Sequence, residues 1–352
     1  MYASLLMMGI STSIIGILPP AASAGVGVVI VLQLMRLAQC FGRGGTWGGG
    51  ILMAYENVPE NKRSFYAAIP QIGLPIGFGL SSILIAVPTL LLPEDIFFTW
   101  GWRIPFLAAI ILTVIVIRQK GEMMETEDYK KAQAKLEAEE AEGKEHTVGF
   151  IPMVKGYWKT LLLGCGTRWV DGTFYNIFIV WILSYCSNWL GMPLIQTYII
   201  TIIACIFKIP FTLFGGWCAQ KLGNTRTFVI GALASAVLSI PTLKVIELSK
   251  GNLAITIIGI VLGWSIAYNL IWAVISSLWS SYFETEVRYS GISFVYHVPS
   301  FLVAGMVPTI CTLLINYGKG DTIYVGIYST VVALISAACA LALKARHDRG
   351  EK

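Results

Sequence analysis

The chain has 352 residues, 56% of them hydrophobic and only 13% charged, with a formal net charge of +5. Soluble globular domains carry about 25% charged residues, so that class is excluded, and no basic, aromatic-interleaved patch suggests a nucleic-acid surface. The seven cysteines (Cys40, Cys165, Cys186, Cys205, Cys218, Cys311 and Cys339) form no Cys-x-x-Cys pair and the three histidines are widely separated, so neither a disulfide framework, a metal centre nor any other cofactor is expected.

A hydrocarbon core about 30 Å thick takes roughly 20 apolar residues per helix. Ten stretches of that kind follow one another, near 3–20, 26–54, 64–92, 101–118, 158–189, 194–219, 227–247, 252–281, 290–316 and 322–343. The expected fold class is therefore all-α, a polytopic membrane bundle of about ten helices. The first stretch ends near Ala22-Ser23-Ala24, a small-residue pattern like a cleavage site, but it has no basic leader and reads as a retained helix.

Four stretches fill 1–118, a partial first half. The segment 119–157 is polar, mixing the acids of Glu122 to Glu145 with Lys130, Lys131, Lys135 and Lys144, and reads as a solvated central loop. Six stretches and a tail fill 158–352. One set of loops holds Lys62, Arg63, Arg118, Lys120, Lys155, Lys159, Lys221, Arg226, Arg288, Lys344 and Arg346; the alternate set holds little beyond Lys244, Lys250 and Lys319. Basic loops stay in the cytoplasm, which predicts a multi-pass plasma-membrane protein with both termini cytoplasmic.

A charge at mid-bilayer costs about 2.5–3.5 kcal/mol on insertion scales and commonly marks a solute pathway. Arg36 and Arg43 lie seven apart on the second stretch, two helical turns, and share a face. The nearby Gly44, Gly45, Gly48 and Gly49 are explained by close helix packing. Arg168 and Asp171 lie three apart on the fifth stretch, followed by Tyr175 and Asn176. That spacing lets the two charges pair. They form either an inert ion pair, or a proton acceptor, Asp171, whose protonation releases Arg168 to a substrate carboxylate. Lys208 faces the interior or snorkels to the headgroups. Tyr268, Asn269 and Trp272 add hydrogen-bonding groups, and His297 carries an imidazole, which exchanges protons near neutral pH. Glu56, at the end of the second stretch, is expected to meet Lys62 or Arg63.

Arg36, Arg43, Arg168 and Lys208 outnumber Asp171, so a shared passage would concentrate anions and favour an organic acid over a cationic or betaine-type solute. No paired carboxylates, nucleophile elbow or phosphate-cradling loop suggests an enzyme. A transport-inactive membrane remnant or interaction partner is the alternative reading.

Several blocks carry a resemblance. Arg36-Leu37-Ala38-Gln39-Cys40-Phe41-Gly42 precedes Gly44-Gly45-Thr46-Trp47-Gly48-Gly49; then come Glu56-Asn57-Val58-Pro59-Glu60-Asn61-Lys62-Arg63, Pro70-Gln71-Ile72-Gly73, Trp100-Gly101-Trp102-Arg103-Ile104-Pro105-Phe106 and Glu286-Val287-Arg288-Tyr289-Ser290-Gly291. In this order they resemble the metabolite:proton symporter branch of the major facilitator superfamily. The resemblance implies two six-helix halves, a midplane site and alternating access. It also implies two further helices ahead of the point matched by residue 1. The chain departs from the family pattern at Thr46 and Gln220, where acids are usual, at Cys40, where a glycine is usual, and at Arg43, where an apolar residue is usual. The expected substrate-binding set is Arg36, Arg43, Arg168, Tyr175, Asn176 and Asn269, with Asp171 and His297 for proton coupling. Glu56, Arg63, Lys221, Arg226 and Arg288 form the expected gate. The expected partners are a small organic acid, protons and the lipid bilayer.

Overall fold

The computed structural model describes residues 2–19, 25–118 and 150–351, and among these every regular element is helical. The longer ones, in chain order, are α1 (Tyr2–Ile17), α2 (Val26–Glu56), α3 (Glu60–Leu91), α4 (Gly101–Arg118), α5 (Phe150–Tyr175), α6 (Ile182–Asn188), α7 (Leu194–Leu222), α8 (Asn224–Leu248), α9 (Leu253–Ser280), α10 (Thr285–Leu302), α11 (Val307–Tyr317) and α12 (Ile323–Asp348), with a short helix, Glu94–Thr99, between α3 and α4. Seven of them, α2, α3, α4, α7, α8, α9 and α12, are long and apolar enough to cross a membrane by length and composition.

Lipid offers no hydrogen bonds, so a spanning backbone must satisfy itself. Interior hydroxyls here follow the same rule: Thr201 donates to the Thr197 carbonyl at 3.0 Å and Thr212 to that of Lys208 at 2.9 Å. Turn chemistry ends the helices. Gly223, at φ 90°, separates α7 from α8, and Asn252 caps α9 by accepting from the Ala254 and Ile255 amides at 3.1 and 3.3 Å.

Several expected stretches are not uniform rods. The one placed at 290–316 breaks after Leu302 into a 3-10 turn, Ala304–Met306, before α11 begins. Pro299 and Pro308 supply no amide hydrogens there, which is why the α-helical ladder cannot run through. The stretch placed at 158–189 begins earlier, at Phe150, with a kink at Tyr157, and a π-helical segment, Asn176–Trp181, joins α5 to α6. Most of the loop expected at 119–157 lies outside the described residues.

α1 packs on α2 and α4; α5 packs on α10 and α12; α8 packs on α9 and α12. α2 meets α10, and α3 meets α7 and α9, so two seams join the first four helices to the rest. One seam is held by a reciprocal pair: Gln71 Nε2 donates to the Trp272 carbonyl at 3.2 Å and Trp272 Nε1 to the Gln71 carbonyl at 3.1 Å. α7 fits between α3 and α9 because Gly215 and Gly216 lack side chains. A Cβ at either would lie 2.6 Å from Ala273 Cβ or 2.7 Å from Ala68 Cβ, closer than packed atoms allow. The core sits in the later helices: 61% of the most apolar window of α9 is buried, against 6% for α2.

Candidate functional site

The site grows from α5. Arg168 and Asp171, one turn apart, are both buried, 7% and 1% exposed. Arg168 Nη1 donates to Asp171 Oδ2, and the hydroxyl of Tyr268, on α9, donates to Oδ1. Both carboxylate oxygens are thus engaged. Arg168 Nη2 also reaches Ser300 Oγ, on α10, at 3.3 Å, and its guanidinium carbon lies 4.4 Å from the centre of the Tyr296 ring. Tyr296 stacks on Trp47 of α2, with centroids 4.0 Å apart, and Trp279 meets Trp47 edge-on at 5.8 Å. Arg168 Nε and Trp47 Nε1 find no acceptor among the described residues. Beside Arg168, a crevice lined by Trp169, Gly172, Pro299, Ser300 and Val303 leaves no room for a water molecule.

Lys208, on α7, is 0% exposed, so it does not snorkel. Its Nζ lies 4.4 Å from the centre of the Trp264 ring and 4.3 Å from that of Tyr268, and no acceptor bonds it among the described residues. A desolvated cation over an aromatic face gains about 2 kcal/mol. Burying the ion costs several kcal/mol, so the rings alone do not offset the burial. Its backbone is fixed: Asn269 Nδ2 donates to the Lys208 carbonyl at 2.8 Å and to Thr212 Oγ1 at 3.0 Å. Tyr268 serves both cations, its ring facing Lys208 and its hydroxyl bonding the acid that holds Arg168.

Two π-helical segments frame this arrangement, Asn176–Trp181 between α5 and α6 and Val261–Ala267 inside α9. Such bulges are frequent at functional sites. They meet where Phe178 presses on Gly263; a Cβ at Gly263 would lie 2.5 Å from the Phe178 ring. Phe174 stacks on Tyr268 with planes 8° apart.

The other expected residues are distributed as follows. Asn269 braces Lys208. Tyr175 is half-buried against Phe78, ring centres 5.7 Å apart, and Asn176 donates to the Gly172 carbonyl of its own helix at 2.8 Å. His297 is half-buried with its ring edge-on to Tyr296 at 5.0 Å. Arg36 is exposed on α2, its Nη1 3.4 Å from Gln39 Oε1, while Gln39 donates to Thr12 of α1 at 2.7 Å. The side chains of Arg43 and Thr46 lie outside the described residues.

In the expected gate, Arg288 Nη1 donates to Glu56 Oε1 at 2.9 Å, and both side chains are largely buried. Glu56 was expected to meet Lys62 or Arg63; the ion pair it makes across the seam is with Arg288, where α2 meets α10. Arg63 bonds Glu60 at 3.4 Å, and both arginines lie over the Tyr55 ring, 5.3 Å for Arg63 and 5.8 Å for Arg288. Lys221 lies 4.2 Å over Trp217 and Arg226 is exposed, apart from that cluster at the α7–α8 turn. Sequence reasoning left Lys208, Trp264, Tyr296, Ser300 and Trp47 out of the site. An intramembrane lysine was the one available signal; the rest depend on contacts between distant helices.

A model of the Major Facilitator Superfamily matches residues 1–308. An inner membrane metabolite transport protein of Escherichia coli K12 is 31% identical, the match covering 99% of this chain and 78% of that protein. A shikimate transporter of the same strain is 29% identical over 96% and 76%, and a proline/betaine transporter of Salmonella typhimurium LT2 is 27% identical over 98% and 69%. Among solved structures, a proton:xylose symporter bound to 6-bromo-6-deoxy-D-glucose superposes with a TM-score of 0.74 at 16% identity, covering 97% of this chain and 78% of its own. A fucose:proton symporter of E. coli superposes at 0.63 and 12% identity, covering 97% and 83%. At such identities the superpositions establish the fold.

Proposed function

The chain belongs to the Major Facilitator Superfamily and is a multi-pass membrane transporter, not an enzyme; from that premise we propose that it carries a small organic anion together with protons by alternating access. The supporting observation is the buried set of Arg168, Asp171, Tyr268 and Lys208: two cations and one acid, with the acid's two oxygens held by Arg168 and Tyr268. A proton arriving at Asp171 removes the charge that holds Arg168. The freed guanidinium then binds a substrate carboxylate, and Asn269, Tyr175 and Asn176 supply further polar contacts. When the proton leaves, Asp171 recaptures Arg168 and the anion is released. His297, next to Tyr296, is the second proton-exchanging group, and Arg36 and Arg43 draw anions along α2.

In this reading residues 1–118 and 158–352 are the two moving units and 119–157 the cytoplasmic loop between them. The protein sits in the inner membrane with both termini cytoplasmic. Glu56 and Arg288 bridge the units and must part for one face to open; Arg63, Lys221 and Arg226 complete that gate. The likeness to two named proton symporters is consistent with coupling.

The test is uptake into proteoliposomes with an inward proton gradient, using labelled dicarboxylates and aromatic acids. The wild type accumulates at least one acid, and Asp171→Asn loses gradient-driven accumulation while still exchanging labelled for unlabelled acid. Uptake of neutral or cationic solutes alone contradicts the reading.

A further inference from the structure

The Lys208 ammonium is sandwiched against two ring faces, Trp264 at 4.4 Å and Tyr268 at 4.3 Å, with no exposed surface and no bonded acceptor among the described residues. Rings set around a cation at this range form the kind of box that recognises quaternary ammonium ligands. Here the chain fills the box with its own side chain. We propose that Lys208 is a specificity-determining residue: a tethered ammonium that occupies the aromatic box, shuts out ammonium-bearing solutes and presents its N–H groups to a carboxylate. The inference rests on the organic-anion reading of the same site and narrows it.

Four features support this assignment. Asp171, the acid of the network, makes no ion pair with Lys208 among the described contacts; its oxygens bond Arg168 and Tyr268. The ammonium therefore keeps three donors in a region where a buried donor without an acceptor is destabilising; a carboxylate supplies both the acceptor and the missing charge. The lysine is held in place at both ends: Asn269 and Thr212 bond its carbonyl, at 2.8 and 2.9 Å, and the side chain is fully buried. The π-helical segment of α9 carries Trp264 and leads directly into Tyr268, so both walls of the box come from one local irregularity of a single helix. Without the lysine, the box offers two π faces with Asp171 one hydroxyl beyond, surroundings that favour a cation.

The experiment measures binding, so that it reads separately from coupled transport. The full chain is reconstituted in lipid nanodiscs and titrated calorimetrically with tetramethylammonium chloride, sodium succinate and sodium benzoate. Lys208→Ala, which empties the box, binds tetramethylammonium at least tenfold more tightly than the wild type. Lys208→Met, whose chain still fills the box, does not. Both bind the acid that the wild type prefers at least tenfold more weakly, and Lys208→Arg keeps most of that affinity. Should Lys208→Ala fail to fold, Lys208→Thr replaces it as the box-opening variant. The assignment is overturned if the emptied box gains no affinity for tetramethylammonium, or if Lys208→Met binds the acid within twofold of the wild type. If the wild type binds neither acid, the tetramethylammonium arm decides alone: a gain keeps Lys208 as the occupant of the box while the organic-anion reading falls.

Discussion

Two buried cations, one on α5 and one on α7, are held in opposite ways. Arg168 is paired: Asp171 on its own helix, Ser300 on α10 and the Tyr296 face surround its guanidinium. Lys208 lies against aromatic faces, with no bonded acceptor among the described residues. The first arrangement is electrically closed and, in the proposed cycle, opens when a proton neutralises the acid. The second is one acceptor short among the described residues. A membrane interior that tolerated both without use would be holding two expensive ions, and in the proposed function they take different tasks: Arg168 is switched, Lys208 is constant.

The comparison is broken most severely by Arg168→Ala. Removing one partner of a buried ion pair costs about 3–5 kcal/mol, because it leaves an uncompensated charge. The variant should melt well below the wild type in a detergent thermal-unfolding assay, and Arg168→Ala with Asp171→Ala should recover part of the loss. Next in size, Tyr268→Phe deletes a hydrogen bond to a charged acceptor, about 1.5–3 kcal/mol, while leaving the ring over Lys208; stability and gradient-driven uptake should both fall. Lys208→Met should act with the opposite sign. It removes an unpaired buried charge and keeps the volume, and a stability gain on the order of 1 kcal/mol is expected. A loss as large as that of Arg168→Ala would mean that Lys208 has a partner and the contrast is false.

The smallest effects on stability come from charges exposed on the protein's surface. Arg36→Ala should change stability by no more than about 0.5 kcal/mol, as exposed sites do, yet abolish uptake if α2 lines the passage. At the rim, Lys244 donates to Asp321 at 2.7 Å and to Glu247 at 3.0 Å. The Lys244 hydrogen bond, with a second from the Ile323 amide, holds the Asp321 carboxyl below the usual carboxylate range. The stability that this provides is present above the unfolded-state value of about 3.9 and is lost as pH falls through the lower folded value. Asp321→Asn should flatten that acid limb of a melting-versus-pH curve by lowering the neutral region, where the carboxylate contributes, towards the acid value.

The same contrast explains what the sequence could tell. The Arg168–Asp171 pair was legible because three residues along a helix fix its geometry, with no knowledge of neighbours. Apolar runs gave away the helices for the same local reason. Lys208 was visible as a charge in a span, but not its surroundings: Trp264 and Tyr268 reach it from another helix, and the π-helical turn shifts the 3.6-residue phase by which faces are read. Glu56 and Arg288 are 232 positions apart, so sequence proximity favoured Lys62 and Arg63 as partners. Arg36 was placed in a passage shared with the other cations; its contact is Gln39, and the structure does not join it to the Arg168 cluster. The break between α10 and α11 was foreshadowed by Pro299 and Pro308, which membrane helices often absorb as kinks.

The most direct measurement follows protons with the solute. Liposomes carrying the protein and a pH-sensitive dye in the lumen are given an organic acid that the protein transports, with protein-free liposomes as the baseline. The account predicts that the wild type acidifies the lumen above that baseline as the acid enters, and that Asp171→Asn exchanges labelled acid across the membrane with no acidification of its own. Acidification by Asp171→Asn equal to that of the wild type would contradict it.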